Sequence, residues 1–485
     1  MQRSSRCAPS ARVAFFFAVC ALVAGCGGGG AESVGPPPSS NVSVNDSLAD
    51  TQPPSIVSTT PTNAATSVST GVLIRIVFSE AMSLETLRAA FSLVDGDDRS
   101  VEGTIAYAER TLTFESREAL APLETYTAAI GTDAADLAGN RLIAAYTWTF
   151  ETGTPVYEIV AVGEDSNENQ ESFTLLSDLN ESGAVVGEIV RLLNVEDGRT
   201  RQASFAFHWE DGQLNELGAF DPLVHDSRAQ GINDANEVIG WSYAGTDAQP
   251  AFVWRNGQMT SVGLADAYAI NDAGQIVGYV TRVRGNEAFN VAVVWQAGQL
   301  TELTDLANPW NINDAGDVVG FSYVDTAPQA SLHRSGVVTI LGTLPGSAMS
   351  QAFDINEAGQ VIGTSHFVPT DGSDTYDRAF LWHDGRMQEL PRLSANDRAT
   401  GAYGINDRGD VVGRSGGARS FAVIWFDGVA YDLNQLIDEG DPLRPYVTLL
   451  EGREINNRGQ IIVQGTDSRR SGSYSGYLLT PKRAR

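Results

Sequence analysis

Cysteine is almost absent from this 485-residue sequence: Cys7, Cys20 and Cys26 are the only three, and all lie near the N-terminus. If the segment before Cys26 is removed on export, as argued below, one cysteine remains and no intramolecular disulfide can form. The same scarcity excludes a cysteine-based zinc site and a thiol nucleophile from the rest of the chain. Stability must then come from a buried core, which a chain of this length can form.

Basic and histidine side chains are also few. The 32 Lys and Arg residues face 60 Asp and Glu residues, which gives a net charge of −28. Such a surface repels nucleic acid and anionic lipid, so we expect no nucleic-acid partner. The five histidines are scattered and form no Ser-His-Asp or metal-ligand spacing. We therefore predict no catalytic residues, no metal site and no cofactor.

Long apolar runs are missing, apart from Val13 to Ala24 behind an arginine-containing start. A spanning helix needs about 20 apolar residues, so this run predicts an export signal over residues 1–25. Its end, Val23-Ala24-Gly25-Cys26, resembles a bacterial lipobox. That resemblance implies lipidation of Cys26 and, with Gly27 following in a Gram-negative host, an outer-membrane anchor. The alternative is an ordinary signal peptide with an incidental cysteine.

Two segments precede the repeats described below. Residues 26–52 are rich in glycine, proline and serine and predict a disordered tether. Residues 53–153 have the length of an immunoglobulin-like β-sandwich. Their wording, PPSIVSTTPTNAATSVS, IVFSEAM, TYTAAIGTDAADLAGNRL and WTFET, resembles the bacterial Ig-like domain of S-layer proteins, which implies spacing or adhesion. We interpret Asp136 to Asn140, DLAGN, as a turn rather than a site.

One nine-residue motif, written INDAGQIVG at Ile270 to Gly278, occurs seven times at intervals of 38 to 53 residues. This interval is typical of a four-stranded propeller blade. Each copy begins with an apolar residue followed by asparagine. The motif asparagines, called the turn asparagines below, are Asn180, Asn233, Asn271, Asn313, Asn356, Asn406 and Asn456.

Turn chemistry explains the motif. The asparagine can bond its own backbone two residues on. Counting that asparagine as the first position, the fourth position should need positive φ, as in a type I turn followed by a bulge. Six copies have glycine there and the second has Asn236, the next most tolerant residue. Calcium binding is the alternative, but the alternating carboxylates of a calcium loop are missing. We predict a structural turn.

Each repeat predicts four short strands: one before the asparagine, one after it, one ending in tryptophan, and one after a following glycine. The segment VYEIVAVG at Val156 to Gly163 matches a fourth strand, whereas GYLLTP at Gly476 to Pro481 matches a third strand with no fourth after it. The two ends would complete one blade, and closure removes exposed sheet edges. We predict an all-β protein, with a seven-bladed β-propeller over residues 156–481 closed by its own N-terminal strand, behind the immunoglobulin-like β-sandwich.

The wording INDxGQVVG, AFLW and GxMxxLG resembles the HAF-type extracellular repeat proteins, over about Val156 to Pro481. The resemblance implies a secreted or surface location and no established chemistry. The sequence departs from the pattern at Asn236, at His333 in a tryptophan slot, and at Val463 where glycine is expected. These departures put local geometry in question rather than the architecture.

We expect the binding face on the variable loops, since function on such folds sits on loops. The predicted loops are Glu188 to Phe205, Tyr279 to Asn290, Thr364 to Arg378 and Asn434 to Arg453. Two positions near the channel mouth are candidates. Four copies have an aromatic residue three positions before the turn asparagine, which we expect either to pack between blades or to form a platform for a ligand: Tyr268, Trp310, Phe353 and Tyr403. Three copies have a carboxylate two positions before the turn asparagine, which we expect either to be solvated or to hold a cation: Asp178, Asp354 and Glu454.

These features predict a non-catalytic binding or adhesion scaffold. We expect an exported monomer, held to the cell envelope only by its lipid and presenting loops to a surface protein or glycan. A propeller hydrolase or lyase acting on extracellular polysaccharide, and a purely structural envelope component, are the alternatives. A pocket with two carboxylates, or a carboxylate and a histidine, within hydrogen-bonding reach would favour the enzyme.

Overall fold

The computed structural model describes residues 50–163, 172–194, 200–221, 226–243, 250–285, 287–370, 373–417, 419–426, 428–470 and 474–482. The predicted export signal, Cys26 and nearly all of the predicted tether lie outside these residues. Within them the only α-helix, α1 (Leu84–Ala90), has seven residues. No helix in this part of the chain is long and apolar enough to cross a membrane.

The first part of the described chain is a two-sheet sandwich. One sheet has the order β1-β3-β6-β5 and the other β2-β8-β7-β4. Apolar side chains from both sheets, among them Ile76, Phe78, Trp148 and Phe150, are buried between them. The strands are β1 (Ile56–Thr60), β2 (Ala65–Val68), β3 (Ile74–Phe78), β4 (Phe91–Val94), β5 (Gly103–Ala108), β6 (Thr111–Ser116), β7 (Thr125–Ile130) and β8 (Tyr146–Thr152).

The rest forms a propeller-like array of seven four-stranded sheets, each with its strands in consecutive antiparallel order except the last. Strand β9 (Tyr157–Val162) comes first in the chain. Sheets one to three are β10 (Ser172–Leu179), β11 (Val185–Asn194), β12 (Thr200–Glu210), β13 (Gln213–Glu216); β14 (Ser227–Ile232), β15 (Val238–Ser242), β16 (Ala251–Arg255), β17 (Gln258–Ser261); and β18 (Asp266–Ile270), β19 (Ile276–Arg284), β20 (Glu287–Gln296), β21 (Gln299–Glu302).

Sheets four to six follow the same order. They are β22 (Asn308–Ile312), β23 (Val318–Val324), β24 (Ala327–Arg334), β25 (Val337–Gly342); β26 (Met349–Ile355), β27 (Val361–Phe367), β28 (Tyr376–His383), β29 (Arg386–Glu389); and β30 (Ala399–Ile405), β31 (Val411–Gly416), β32 (Ser420–Phe426), β33 (Val429–Asp432). A short 3₁₀ turn, Leu433–Gln435, leads towards the seventh sheet.

The seventh sheet joins both ends of the array. It contains β34 (Val447–Ile455), β35 (Ile461–Asp467), β36 (Tyr474–Pro481) and then β9, in that order. Strand β9 runs antiparallel to β36, with Tyr157 opposite Pro481 and Val160 opposite Leu478. The predicted pairing of these two segments is therefore present. An apolar cluster that includes Phe207 of the first sheet and Ile462 of the seventh packs these sheets together.

The turn prediction is confirmed at the backbone. All six motif glycines in the fourth position have φ between 70° and 91°, and Asn236 has φ of 57°. Each turn asparagine also bonds its own turn: the Asn271 Oδ1 accepts from the backbone N–H of Gln275 at 2.9 Å. The local sequence thus fixes the same tight turn in all seven repeats.

The last glycine of the motif has a separate cause. A β-bulge in the first strand of every sheet brings its backbone against the second strand. A Cβ on Gly278 would lie 2.1 Å from the Asp266 carbonyl oxygen. In the seventh sheet Val463 is tolerated because its partner is Gly452. The glycine of this pair therefore lies on the first strand instead of the second.

The predicted variable loops differ from the structure. Three of them consist mostly of β-hairpin, because the second strand of the sheet extends into the predicted loop. Strand β11 continues to Asn194, β19 to Arg284 and β27 to Phe367. Arg284 pairs with Glu287 at the end of the third-sheet hairpin. Only the fourth, Asn434 to Arg453, keeps a long non-strand stretch before β34. Cross-strand ladders extend through polar residues because one face of each hairpin is free of the core.

Candidate binding cavity on the turn side

A cavity of about 740 Å³ opens on the side of the turn asparagines. It is lined by the ends of the first strand of each sheet and by the turns that follow them. We call it the turn-side cavity. Ten carboxylate side chains, three arginines and four aromatic rings line it. Its rim and its deeper walls are built from different positions of the repeat.

A ring of amide hydrogen bonds surrounds the cavity. Each turn asparagine donates from Nδ2 to the backbone oxygen of the turn asparagine in the next sheet. Asn271 donates to Asn313 at 2.9 Å, and Asn456 of the last sheet donates to Asn180 of the first at 3.0 Å. The other five bonds are Asn180–Asn233, Asn233–Asn271, Asn313–Asn356, Asn356–Asn406 and Asn406–Asn456, at 2.9 to 3.4 Å. The asparagine therefore holds both its own turn and its neighbour.

A second ring involves the residue after each turn asparagine. Its backbone N–H donates to the side chain of the corresponding residue one sheet on, as in Asp272 to the Asp314 carboxylate at 2.8 Å. The last bond runs from Asn457 to the Glu181 carboxylate at 2.8 Å. The remaining donors and acceptors are Glu181–Asp234, Asp234–Asp272, Asp314–Glu357, Glu357–Asp407 and Asp407–Asn457, at 2.6 to 2.9 Å. The sequence analysis missed this role; an acid or amide at a fixed place in every copy was its signal.

Three carboxylates lie deeper, on the predicted positions Asp178, Asp354 and Glu454; we call them the inner carboxylates. Asp178 accepts from the backbone N–H groups of Leu179 and, across the sheet boundary, Ile232, both at 2.8 Å. Asp354 does the same with Ile355 and Ile405, both at 2.8 Å. The asparagine Asn311 adds a bond to Asp354 at 2.5 Å. These carboxylates therefore link neighbouring sheets.

Burial raises the pKa of each inner carboxylate. The pKa of Asp178 rises to about 6 and that of Asp354 to about 7, against the opposing effect of their backbone hydrogen bonds. The pKa of Glu454 is raised well above its usual range, first by burial and then by the charges of Asp354 and Asp178. Burial therefore disfavours ionisation of all three, and nearby like charges add to this effect at Asp354 and Glu454.

Asp354 and Glu454 approach the sixth sheet from opposite sides, and Gly404 makes this possible. Asp354 reaches Ile405 from the fifth sheet. From the seventh sheet, the Glu454 Oε1 lies so close that a Cβ on Gly404 would sit 2.6 Å from it. Glycine is therefore required at this position because the Glu454 carboxylate fills the space.

The four aromatic residues form a continuous arc along the third to sixth sheets, which we call the aromatic arc. Ring centroids are 5.1 Å apart for Tyr268 and Trp310, 6.4 Å for Trp310 and Phe353, and 5.8 Å for Phe353 and Tyr403. All four also line the cavity. The bulge breaks strict alternation, so the aromatic and inner-carboxylate positions both border the cavity. The rings therefore pack against one another from sheet to sheet and also border the cavity.

These candidate residues lie on the turn side, not beside the variable loops where the sequence analysis placed them. They share the cavity with the turn residues. They precede the turn asparagine by only two or three residues, a distance of about 7 to 10 Å along a strand. The hairpins at the far ends of the same sheets do not line this cavity.

Arg453 occupies the aromatic position in the seventh sheet, but it is paired elsewhere. Its Nη1 lies 2.7 Å from Glu451 Oε1, and Arg414 lies 3.3 Å from the other oxygen of Glu451. Arg414 also sits 5.9 Å above the ring of Tyr403, whose pKa burial raises to about 12. Arg453 therefore shares Glu451 with Arg414 and does not pair with Glu454.

The sandwich contacts the rim of the cavity. Arg117 and Glu118, which follow β6, line it beside the turns. Arg408 of the sixth turn donates to the Ala119 carbonyl oxygen at 3.3 Å, and Ser69 donates to the Lys482 carbonyl oxygen at 3.0 Å. These bonds join the sandwich to the repeats.

Two other groups offer chemistry outside the cavity. Asp136 closes the DLAGN turn by accepting from the N–H groups of Ala138 and Asn140, both at 2.8 Å, as a turn role predicts. Oxygen atoms of Asp50, Glu80 and Asp136 lie within 4.8 Å of one another. On the fifth-sheet hairpin His366 Nδ1 is 2.8 Å from Asp377 Oδ1, both part-exposed and neither lining the cavity.

Comparison with known proteins identifies the sandwich. Residues 50–152 match the bacterial Ig-like domain family. Asp50 is already part of this unit, since its carbonyl oxygen accepts from Asn140 Nδ2 at 3.0 Å, three residues before the predicted boundary at 53. No curated protein matches the chain.

Solved structures similar to the chain include propellers and an S-layer protein. TolB from Acinetobacter baumannii is 13% identical, with a TM-score of 0.34, 63% of this chain covered and 65% of that one. The β-propeller domain of the Trilobed protease from Pyrococcus furiosus is 11% identical, with a TM-score of 0.39 and coverages of 81% and 100%. The N-terminal part of the bacterial S-layer protein SbsC is 16% identical, with a TM-score of 0.18 and coverages of 43% and 42%. The match spans less than two thirds of the TolB chain, and none of these likenesses bears on activity.

Proposed function

We propose that this protein is a non-catalytic binding scaffold of the bacterial cell envelope, in which HAF-type repeats form a closed seven-bladed propeller behind an Ig-like domain. The pairing of β9 with β36 and the return of both hydrogen-bond rings from the seventh sheet to the first support the closure. A closed ring holds the walls of a central site rigidly, and rigid elements make precise sites.

The turn-side cavity carries this proposal. It combines a large concave volume with aromatic rings and convergent polar groups, features that ligand sites share. The hairpins are the competing location, because Val283, Phe289 and Tyr323 expose large apolar side chains there. We propose that the cavity binds a ligand and that the hairpins face solvent or a neighbouring surface protein or glycan.

Location follows from the Ig-like domain, a family that is typically extracellular or surface-exposed. We propose that Cys26 carries the lipid anchor. Metabolic labelling with a fatty-acid probe should mark the full-length protein and not the Cys26→Ser variant. Labelling of both proteins, or of neither, would contradict a lipid anchor at Cys26 but would not bear on the proposal of a binding scaffold.

An enzyme would need an acid and a base meeting at one substrate. Two of the inner carboxylates, Asp178 and Asp354, meet the carboxylate criterion only in part, because each accepts one backbone N–H from its own strand and one from the neighbouring sheet. His366 and Asp377 meet the histidine criterion by distance, outside the cavity. Glycan hydrolysis or lysis that disappears in His366→Gln, with the fold intact, would favour the enzyme.

The test is a binding screen of the full-length protein against envelope glycans and surface proteins. Ser177→Trp fills the cavity at the position where the fourth sheet already carries Trp310. Shortening the third-sheet hairpin between Thr281 and Asn290 leaves the cavity walls unchanged. We expect Ser177→Trp to abolish binding and the hairpin variant to retain it. The reverse result would move the site to the hairpins, and absence of any ligand would favour a structural role.

A further inference from the structure

We propose that the turn-side cavity binds an organic cation, an ammonium or guanidinium group on an alkyl stem. This inference rests on the proposed function of the cavity as a binding site and names the chemistry of its ligand. Such a group occurs both on free polyamines and on lysine or arginine side chains of a peptide. Three features of the cavity lead to it: its charge, its aromatic wall and the spacing of its carboxylates.

The first feature is uncompensated charge. Ten carboxylates and only three arginines line the cavity. Arg453 is held by Glu451, and Arg117 reaches the rim from the sandwich. Among the described residues the inner carboxylates form no ion pair: Asp178 and Asp354 accept only from backbone N–H groups and the Asn311 amide, and Glu454 from the N–H of Ile455. Once they ionise, buried carboxylates without a counter-charge favour entry of a cation.

The second feature is the aromatic arc, which shares the wall with these carboxylates. Phe353 directly precedes Asp354, and Tyr403 precedes Gly404, where Asp354 and Glu454 converge. Aromatic faces attract cations through the ring quadrupole and pack against an alkyl stem. A bare metal ion gains little from such a wall, whereas an alkylammonium ion uses both the rings and the carboxylates.

The third feature is the spacing of the carboxylates. Within the described residues, the set Asp50, Glu80 and Asp136 is the one whose ligand atoms lie within 4.8 Å of one another, and no such set occurs among the inner carboxylates. Calcium needs six to eight oxygen ligands at 2.3–2.6 Å, so the inner carboxylates are too far apart to coordinate one ion. An organic cation with two or more separated charges, or one diffuse charge, suits them better. A neutral sugar would use the rings but leave the carboxylates uncompensated.

The experiment titrates the full-length protein with four probes by calorimetry at pH 8: spermidine, a short lysine peptide, calcium chloride and a neutral oligosaccharide. We expect saturable binding of the two amines, with the ratio of their affinities distinguishing a free polyamine from a basic peptide as the source. Calcium and the neutral sugar should neither bind in the cavity nor displace the amines.

Two variants and one matched control locate the site. The triple variant Asp178→Asn, Asp354→Asn, Glu454→Gln removes the inner carboxylates, and the single variant Trp310→Leu removes the indole from the aromatic arc. Each should weaken amine binding about tenfold or more. The control Asp97→Asn, Asp384→Asn, Glu439→Gln makes the same change of net charge at exposed positions and should bind within about twofold of the parent. Equal urea midpoints for parent and variants establish that the fold is kept; if the triple variant unfolds, Trp310→Leu alone decides.

Other outcomes overturn the inference. Amine binding that falls equally in the exposed control is non-specific attraction to an acidic protein. Calcium binding that displaces the amines, or sugar binding indifferent to the triple variant, assigns the cavity to another ligand class. If no amine binds but a screened ligand is lost in Ser177→Trp, the cation is wrong and the proposed function stands. If nothing binds in either experiment, both fall.

Discussion

The side-chain amide of Asn456 donates a hydrogen bond of 3.0 Å to the backbone oxygen of Asn180, a residue 276 positions earlier. Six equivalent hydrogen bonds join the turn asparagines of neighbouring repeats from Asn180 to Asn456, and they use the same atoms. One residue type therefore serves two purposes: its oxygen closes the local turn, and its nitrogen holds the next sheet.

Replacing a turn asparagine should cost more than the loss of one turn. In Asn271→Ala the N–H of Gln275 loses its acceptor in a part-buried place, and the backbone oxygen of Asn313 keeps only the bond from the N–H of Gly316. We expect the free energy of unfolding, measured by urea denaturation, to fall by about 2 kcal/mol or more. The matched control Asn396→Ala, on an exposed loop, should change it by less than about 0.5 kcal/mol. Equal losses would contradict the bond between repeats.

The seam between the two ends can be locked chemically. Val160 and Leu478 face each other across β9 and β36, so cysteines at both positions should form a disulfide without reducing agent. The bond closes a very long loop, and we expect a higher urea midpoint in the oxidised than in the reduced protein. Val160→Cys alone is the control. If no cross-link forms, or if it leaves the midpoint unchanged, the pairing at the seam is wrong.

Gly404 should not tolerate a side chain. In Gly404→Ala the new Cβ would lie 2.6 Å from Glu454 Oε1 and 2.8 Å from Glu454 Cα, so shortening the glutamate cannot relieve the clash. We expect a loss of about 1–3 kcal/mol in the free energy of unfolding. Gly131→Ala, whose Cβ meets nothing nearer than the Ala90 oxygen at 3.6 Å, should be nearly neutral in the same assay. A neutral Gly404→Ala would show that Glu454 lies elsewhere.

The inner carboxylates make stability depend on pH. The pKa of Asp178 is raised to about 6 and that of Asp354 to about 7, mainly by burial. A raised pKa means that the folded state holds the proton more tightly, so this contribution is complete below the ordinary value of about 4 and is lost as the pH rises through 6 to 7. We expect Asp178→Asn with Asp354→Asn to show a smaller fall in melting temperature than the parent between pH 5 and pH 8. Parallel curves would contradict the raised values.

Asn236 illustrates how much of the fold local sequence predicts. A non-glycine residue at the fourth motif position still predicts positive φ, because asparagine tolerates it, and the structure has φ of 57° there. The four strands per repeat and the pairing of the two ends of the repeat region were predictable for the same reason, since each depends on neighbouring residues or on the phase of the repeat. The side chain of Asn236 does something the motif did not predict: it accepts from Asn180 Nδ2 at 2.9 Å.

Val463 and the predicted loops are features that the local sequence does not predict correctly. Val463 departs from the motif, and only the pairing with Gly452 explains why it fits. The stretch from Tyr279 to Asn290 is polar enough to predict a loop, yet Thr281 pairs with Asn290 in a continuing ladder. In both cases the partner strand, not the segment itself, decides the outcome.

The sequence by itself determined the turns, the glycine positions, the four-strand unit and the matching of its ends, because these follow from backbone conformations within nine residues and from period-two patterning. Only the tertiary structure decided that the turn residues bond from sheet to sheet, that Asp354 and Glu454 converge over Gly404, and that the aromatic arc and inner carboxylates share a cavity on the turn side. These relationships join residues about forty or more positions apart, and they depend on how neighbouring sheets stack, which no local pattern specifies.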